Sequence, residues 1–246
     1  MRYFFVEKTE ITNAGAHLSG TDARHIQKVL RLKPGATIGL FDGEGFEYLA
    51  RIETVSPGRV QVAILDRFAV CRESTFKITL AQALLKEKKM DTLLRPLTEL
   101  GITAWMPYIA DRSVPQPSQK QSQNRIERWK KITREAVKQC RRGKAVKIEP
   151  ISSFAEVLAM GGNFETRVIF YEQAGTTLKD NLVGVKEQAG SVLALLGPEG
   201  GFTKDEVTAA KAAGFIVAGL GPRILRAETA ALSACVLLQH MFGDMQ

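Results

Sequence analysis

Cysteine is scarce: among 246 residues only Cys71, Cys140 and Cys235 occur, far apart and with no Cys-x-x-Cys pair. That excludes a disulfide framework and a zinc-ribbon or thioredoxin-type site, and a reducing cytoplasm is the expected location. Long hydrophobic runs are missing as well. No stretch approaches the roughly 18 apolar residues of a membrane-spanning helix. The first ten residues carry Arg2, Glu7, Lys8 and Glu10 where a secretory signal would be apolar. The glycine-rich turns described below contain neither Gly-x-x-x-x-Gly-Lys-Ser/Thr nor Gly-x-Gly-x-x-Gly, which removes support for ATP hydrolysis and NAD chemistry. There is no internal repeat.

What is present is an ordinary globular composition, 45% hydrophobic and 24% charged, with a net charge of +8. Its length allows one large domain or two small ones, and two are expected. The positive charge is concentrated. Between Gln119 and Lys147 there are eleven basic residues and two acidic ones, so this segment holds the whole surplus. Ile126, Trp129, Ile132, Ala136, Val137 and Cys140 recur in it at helical spacing, which predicts a helix apolar on one side and basic on the other. Like charges at i,i+3 and i,i+4 repel, so a face with so few acids points to a polyanion such as RNA more than to simple solvation. Its candidate contacts are Arg128, Lys131, Arg134, Lys138, Arg141 and Arg142. Arg2, Arg24, Arg31 and Arg112 join them, because guanidinium groups make paired bonds to phosphate.

The two halves differ in pattern. Before residue 70, short alternating runs at Tyr3 to Val6, Thr37 to Phe41, Glu47 to Thr54 and Arg59 to Leu65 are separated by Asp42-Gly-Glu-Gly45 and Ser56-Pro-Gly58, predicting a small antiparallel barrel or sandwich interrupted by a helix at Asp22 to Leu30. Asp66 to Ser74 reads as a linker and Gln116 to Ser122 as a polar loop. Beyond residue 74 an α/β alternation predicts a parallel sheet covered by helices. Its strands are Phe76 to Leu85, Ile102 to Ile109, Arg167 to Tyr171, Ser191 to Leu196 and Phe215 to Leu220. Its helices, besides the basic one, are Lys88 to Leu100, Ser153 to Met160, Lys204 to Ala213 and about Glu228 to Phe242.

Two strands end in glycine turns: Leu196-Gly-Pro-Glu-Gly-Gly201, followed by a Thr203/Glu206 capping box, and Leu220-Gly-Pro-Arg-Ile-Leu-Arg-Ala-Glu-Thr-Ala230. Ligands of open α/β sheets sit at the carboxyl ends of strands, and glycines let a ligand approach the backbone. On adjacent strands, two such turns can clamp one ligand. Each can also be a structural bend. The helix after the second turn is apolar on most sides, as deep core or a subunit interface would be.

These two motifs resemble the ribosomal RNA small subunit methyltransferase E family of the knotted SPOUT class. His25-Ile-Gln-Lys-Val-Leu-Arg31, Phe41-Asp-Gly43, Lys86-Glu-Lys-Lys-Met-Asp91, Thr98-Glu-Leu-Gly101 and Gln139-Cys-Arg-Arg142 occur in the family's order, so the likeness covers nearly the whole chain. It implies an α/β fold: a PUA-like β-barrel at 1–70 that binds RNA, then a SPOUT trefoil-knot domain with a parallel sheet at 74–246. The implied reaction is methyl transfer from S-adenosylmethionine to N3 of a uridine in 16S ribosomal RNA of the small subunit, by a homodimer and without metal. Implied cofactor contacts are Tyr171, Leu196, Gly197, Glu199, Gly200, Gly201, Leu220, Gly221, Ile224, Leu225, Thr229 and Ala230.

Uridine N3 carries a proton that blocks its lone pair, so a site for this reaction must remove the proton or stabilise the uracil anion. Arg226 is the candidate stabiliser, with a structural or cofactor-carboxylate role as the alternative. Glu199 and Glu228 are the carboxylates at hand, either as proton acceptors or as braces of the turns. His25 is given no catalytic role. Two departures stand out: Arg95-Pro96, where relatives continue an unbroken helix and a bend is expected, and Lys138, where they often carry glutamate. A non-catalytic RNA-binding assembly factor is the alternative function.

Overall fold

The computed structural model describes residues 1–12, 15–70, 72–86, 88–176, 178 and 190–245. Cys71 and Glu87 lie outside the described residues. The chain divides into two compact units, Met1–Glu73 with Val137–Ala145, and Ser74–Ala136 with Val146–Gln246. The segment Val137–Ala145, expected in the second domain, thus belongs to the first unit.

In the first unit, β1 (Tyr3–Phe5), β2 (Ile11–Thr12), β3 (Gly15–Ser19), β4 (Thr37–Phe41), β5 (Phe46–Ser56) and β6 (Arg59–Ala69) form one sheet in the order β1-β4-β5-β6-β3-β2. The expected all-antiparallel pattern needs one correction: β1 pairs β4 in parallel. The long β5–β6 ribbon carries two register irregularities, at Leu49/Ala50 and Ile52/Thr54, which bend such ribbons. Alternate residues bury Phe4, Leu18, Ile38, Leu40, Ala50, Ile52, Val60 and Val62 in one core. The interrupting helix begins two residues before the predicted start: α1 covers Gly20–Arg24 and continues as a π-turn over His25–Val29. Asp66 to Ala69 is strand, not linker, because its backbone goes on pairing with β5.

In the second unit, β7 (Lys77–Ala83), β8 (Ala104–Ile109), β9 (Lys147–Ile148), β10 (Ser152–Ser153), β11 (Thr166–Phe170), β12 (Ser191–Leu196) and β13 (Ile216–Ala218) make a parallel sheet, ordered β10-β8-β7-β12-β11-β13 with β9 beside β8. One buried cluster gathers Ile78, Leu80, Leu94, Leu97, Trp105, Ala194 and Leu238. Another gathers Ala81, Tyr108, Ile169, Leu193, Phe202 and Ala210. The central strands are buried on both faces, which explains their unbroken apolar runs.

Helix α2 (Lys89–Glu99) runs on through Pro96, whose carbonyl accepts from the Leu100 amide at 2.9 Å, and Gly101 ends it at φ +91. The basic helix α3 (Gln119–Cys140) buries Trp129, Ala136 and Val137. It starts inside the expected polar loop, because Ser118 and Gln121 exchange capping hydrogen bonds of 2.8 and 3.4 Å. Capping boxes also open α4 (Phe154–Met160), from Ser153, and α5 (Lys204–Ala212), from Thr203. The last helix, α6, spans Ala227–Phe242. No helix among the described residues is long and apolar enough to cross a membrane.

Candidate functional site

The first glycine turn leaves β12 and the second leaves β13, but these strands are not neighbours, because β11 lies between them. The expected clamp of two adjacent strands therefore becomes a three-strand site, with the end of β11 between the jaws. A cavity of about 560 Å³ opens there, within the usual size of small-molecule sites.

The first turn is tied down from behind. Tyr108 Oη donates to the Leu196 carbonyl (3.0 Å), Gln82 Nε2 to Gly197 (2.9 Å), the Gly201 amide to Pro198 (3.0 Å) and Arg112 Nη1 to Gly200 (2.9 Å). Burial, with the Glu206 carboxylate second, pushes the Tyr108 phenol well above its ordinary value, so it stays a neutral donor. Two glycines of this turn sit close to neighbouring side chains. A Cβ at Gly200 would lie 3.1 Å from Arg112 Cβ, and one at Gly201, where φ is +67, 2.9 Å from Glu172 Oε1.

One lysine joins the jaws. Lys89 Nζ on α2 lies 3.1 Å from Glu199 Oε1 in the first turn and 3.4 Å from Glu228 Oε1 at the start of α6. Partial burial raises the Glu199 carboxyl, but the Lys86 amide and Lys89 outweigh it, so its pKa falls below the ordinary carboxylate value. The hydrogen bond to Glu199 in turn raises Lys89. Glu228 Oε2 is buried with no hydrogen-bond partner among the described residues, an unsatisfied acceptor.

Eleven of the twelve expected cofactor contacts line the cavity, namely Tyr171, Leu196, Gly197, Glu199, Gly200, Gly201, Leu220, Gly221, Ile224, Leu225 and Ala230, together with Arg226. Thr229 does not line it, because it is exposed between Glu228 and Ala230, which do. The guanidinium of Arg226 has no partner among the described residues, and its backbone, at φ −64 and ψ 151, caps α6. The sequence reading missed Lys89, Phe170, Glu172, Gln173, Pro198 and Phe202 on the wall. The run Lys86-Glu-Lys-Lys-Met-Asp91 was the visible signal for Lys89.

The expected RNA contacts divide. Arg2, Arg24, Arg31, Lys131 and Arg141 are exposed, and Arg31 and Arg141 hold positive φ of 50 and 60. Arg128 is exposed but paired with Asp91, which also accepts from Trp129 Nε1. Arg134 is half-buried. Arg112 spends its guanidinium on the Gly200 carbonyl. Lys138 is mostly covered and paired with Asp22 at 3.0 Å, so a glutamate at that position would face Asp22 as a like charge. Arg142 corrects the expectation outright. It is 6% exposed and held by Glu73 at 2.8 Å, a structural ion pair rather than an RNA contact.

The glycine turns and the apolar residues Phe170, Leu196, Phe202, Leu220 and Leu225 around this cavity fit the S-adenosylmethionine that the resemblance implies. Comparison with known proteins agrees. Residues 72–239 match the RNA methyltransferase domain family and residues 18–65 the RNA methyltransferase PUA domain family. A ribosomal RNA small subunit methyltransferase E of Bacillus subtilis (strain 168) is 32% identical over 98% of this chain and 96% of its own. The crystal structure of a ribosomal RNA small subunit methyltransferase E from Neisseria gonorrhoeae bound to S-adenosyl methionine is 32% identical, with a TM-score of 0.89 and all of both chains covered. A putative methyltransferase from Legionella pneumophila, in complex with the same cofactor, is 29% identical with a TM-score of 0.89, covering 98% of each chain. With a PUA domain, an RNA methyltransferase domain and a relative aligned nearly end to end, the chain belongs to the ribosomal RNA small subunit methyltransferase E family.

Proposed function

We propose that this protein transfers a methyl group from S-adenosylmethionine to N3 of uridine 1498 in 16S ribosomal RNA, acting as a homodimer on the small ribosomal subunit. The observation that carries this reading is the cavity between the two glycine turns, which is lined by eleven of the twelve positions implied for the cofactor, in a chain similar in fold to solved structures that contain it. The cofactor supplies an activated methyl group on a sulfonium. The chain supplies position: the braced turn of 197–201 and the backbone of 220–225 hold the adenosyl part, and Phe170 and Phe202 help exclude water. Orientation of this kind accounts for much of the acceleration in a two-substrate transfer. Arg226, charged and without a partner among the described residues at the cavity wall, stabilises the uracil anion as the N3 proton leaves.

The exposed arginines and lysines of α3 and of the first unit supply the RNA-binding charge. The dimer rests on α6, where Val236 and Leu237 are 37% and 38% exposed on an apolar helix. The trefoil knot that the resemblance implies belongs to the same proposal.

The test is nucleoside mass spectrometry of small-subunit RNA from cells with and without the protein, followed by add-back of purified protein with S-adenosylmethionine. Loss and recovery of 3-methyluridine is the expected result. Unchanged methylated nucleosides, with folded protein, would instead favour an RNA-binding assembly factor.

A further inference from the structure

The two carboxylates of the site are not equivalent. Glu199 Oε1 takes the Lys86 amide at 3.0 Å and the Lys89 ammonium at 3.1 Å, so this group is engaged in bracing its turn. Glu228 presents one oxygen, Oε1, to Lys89 at 3.4 Å, while Oε2 is buried and has no donor. Burying an anionic oxygen unpaired is costly, so a donor from a bound molecule is the natural partner. Glu228 lines the same cavity as the unpaired Arg226, two residues before it. The other charged groups on that wall are Lys89 from α2, Glu172 after β11, Glu199 in the first turn and Arg223 in the second.

We propose that Glu228 is the group that receives the uridine N3 proton, an assignment that rests on the methyl-transfer reading above. The N3–H bond breaks and the proton passes to Oε2, leaving a neutral carboxylic acid. The freed N3 electron pair forms the new bond to the methyl carbon as that carbon's bond to sulfur breaks, the bonding pair staying on the sulfur, which becomes a neutral thioether. The proton goes to solvent when product leaves. Lys89 holds Oε1 of Glu228 in place, and Arg226 offsets negative charge on the ring. A proton acceptor and a fixed cation lining one cavity are what N3 deprotonation requires.

The decisive variant is Glu228→Gln, which keeps size and a carbonyl for Lys89 but cannot take a proton. It is compared with wild type on small subunits lacking 3-methyluridine, with cofactor affinity measured separately by calorimetry without RNA and folding checked by thermal melting. The expected result is a loss of kcat by about 100-fold near neutral pH, with the cofactor dissociation constant within threefold of wild type. The defect should shrink as pH rises, because hydroxide then supplies the deprotonated uracil. A variant with wild-type kcat overturns the proposal. So does a variant whose cofactor affinity falls in proportion to its activity, which makes Glu228 part of the cofactor's grip, and so does a loss that stays constant with pH. A thermal midpoint lowered enough to account for the loss also overturns it, by making Glu228 a brace. Failure of wild-type protein to methylate any nucleoside refutes the functional reading itself, a result distinct from all of these.

Discussion

The pair Glu73–Arg142 offers a direct test of what holds the first unit together. Glu73 Oε2 accepts from Arg142 Nη2 at 2.8 Å and Nε at 3.2 Å, and its Oε1 accepts from the Gly143 and Lys144 amides at 3.0 Å each. The side chains are 14% and 6% exposed. Breaking a buried ion pair by removing one partner costs about 3–5 kcal/mol. The two ends differ, however. Arg142→Met leaves Glu73 with both backbone donors, so the lower part of that range applies, discounted for partial exposure to about 2 kcal/mol. Glu73→Ala removes the acceptor of every one of these bonds and leaves the two amides stranded, for about 4 kcal/mol. Both tryptophans, Trp105 and Trp129, lie in the other unit, so fluorescence would report the wrong region. Amide hydrogen exchange of β3 to β6 is the appropriate assay, since protection there follows the opening of this unit. At tenfold per 1.4 kcal/mol, Glu73→Ala should speed exchange several hundredfold and Arg142→Met only about thirtyfold. Equal effects, a reversed order, or exchange unchanged in Glu73→Ala would refute the reasoning.

Other outcomes follow from the site and the basic helix. Gly201→Ala forces an L side chain into φ +67 and against Glu172, and should weaken cofactor binding by about tenfold in calorimetry, from a strain of order 1–2 kcal/mol. The Glu199 carboxyl titrates below the ordinary value of 4.5. Its stabilising contribution is therefore complete above that value and disappears as pH falls through the lower folded value; chemical-denaturation curves of wild type and Glu199→Gln should differ at pH 6 and converge in acid. Lys131→Glu, at an exposed position of α3, should weaken binding to small-subunit RNA and reduce the salt slope by about 1, read from binding isotherms at several salt concentrations.

Much of this organisation was legible along the chain. Helix α2 is readable because Met90, Leu93, Leu94 and Leu97 repeat at helical spacing and Gly101 stops it, and β12 because an apolar run meets a glycine turn. The edge pieces of the first sheet were not. β3 is five residues with only Ala16 and Leu18 turned inward among its side chains, too short for alternation to register. The end of β6, Asp66-Arg-Phe-Ala69, is polar and exposed and is strand only because β5 pairs with it. Contacts across the sequence were hidden for the same reason. Nothing local reveals that Arg142 will meet Glu73, 69 residues away, or that Arg112 will donate to the Gly200 carbonyl. By contrast, the start of α3 was encoded as Ser118-x-x-Gln121 and was simply outweighed by the polarity around it.

The first unit is not continuous in sequence, and this bears on how the protein is made. Residues 1–73 lack the segment 137–145 that brings Arg142 to Glu73, Lys138 to Asp22 and the Gly143 carbonyl to the Gly45 amide. During synthesis those partners leave the ribosome only after more than sixty further residues, including α2, β8 and most of α3. The amino-terminal sheet can therefore form early but stays unlatched until translation has passed residue 145. A fragment cut at residue 73 should keep the strands of the isolated unit and lose the clasp that closes it.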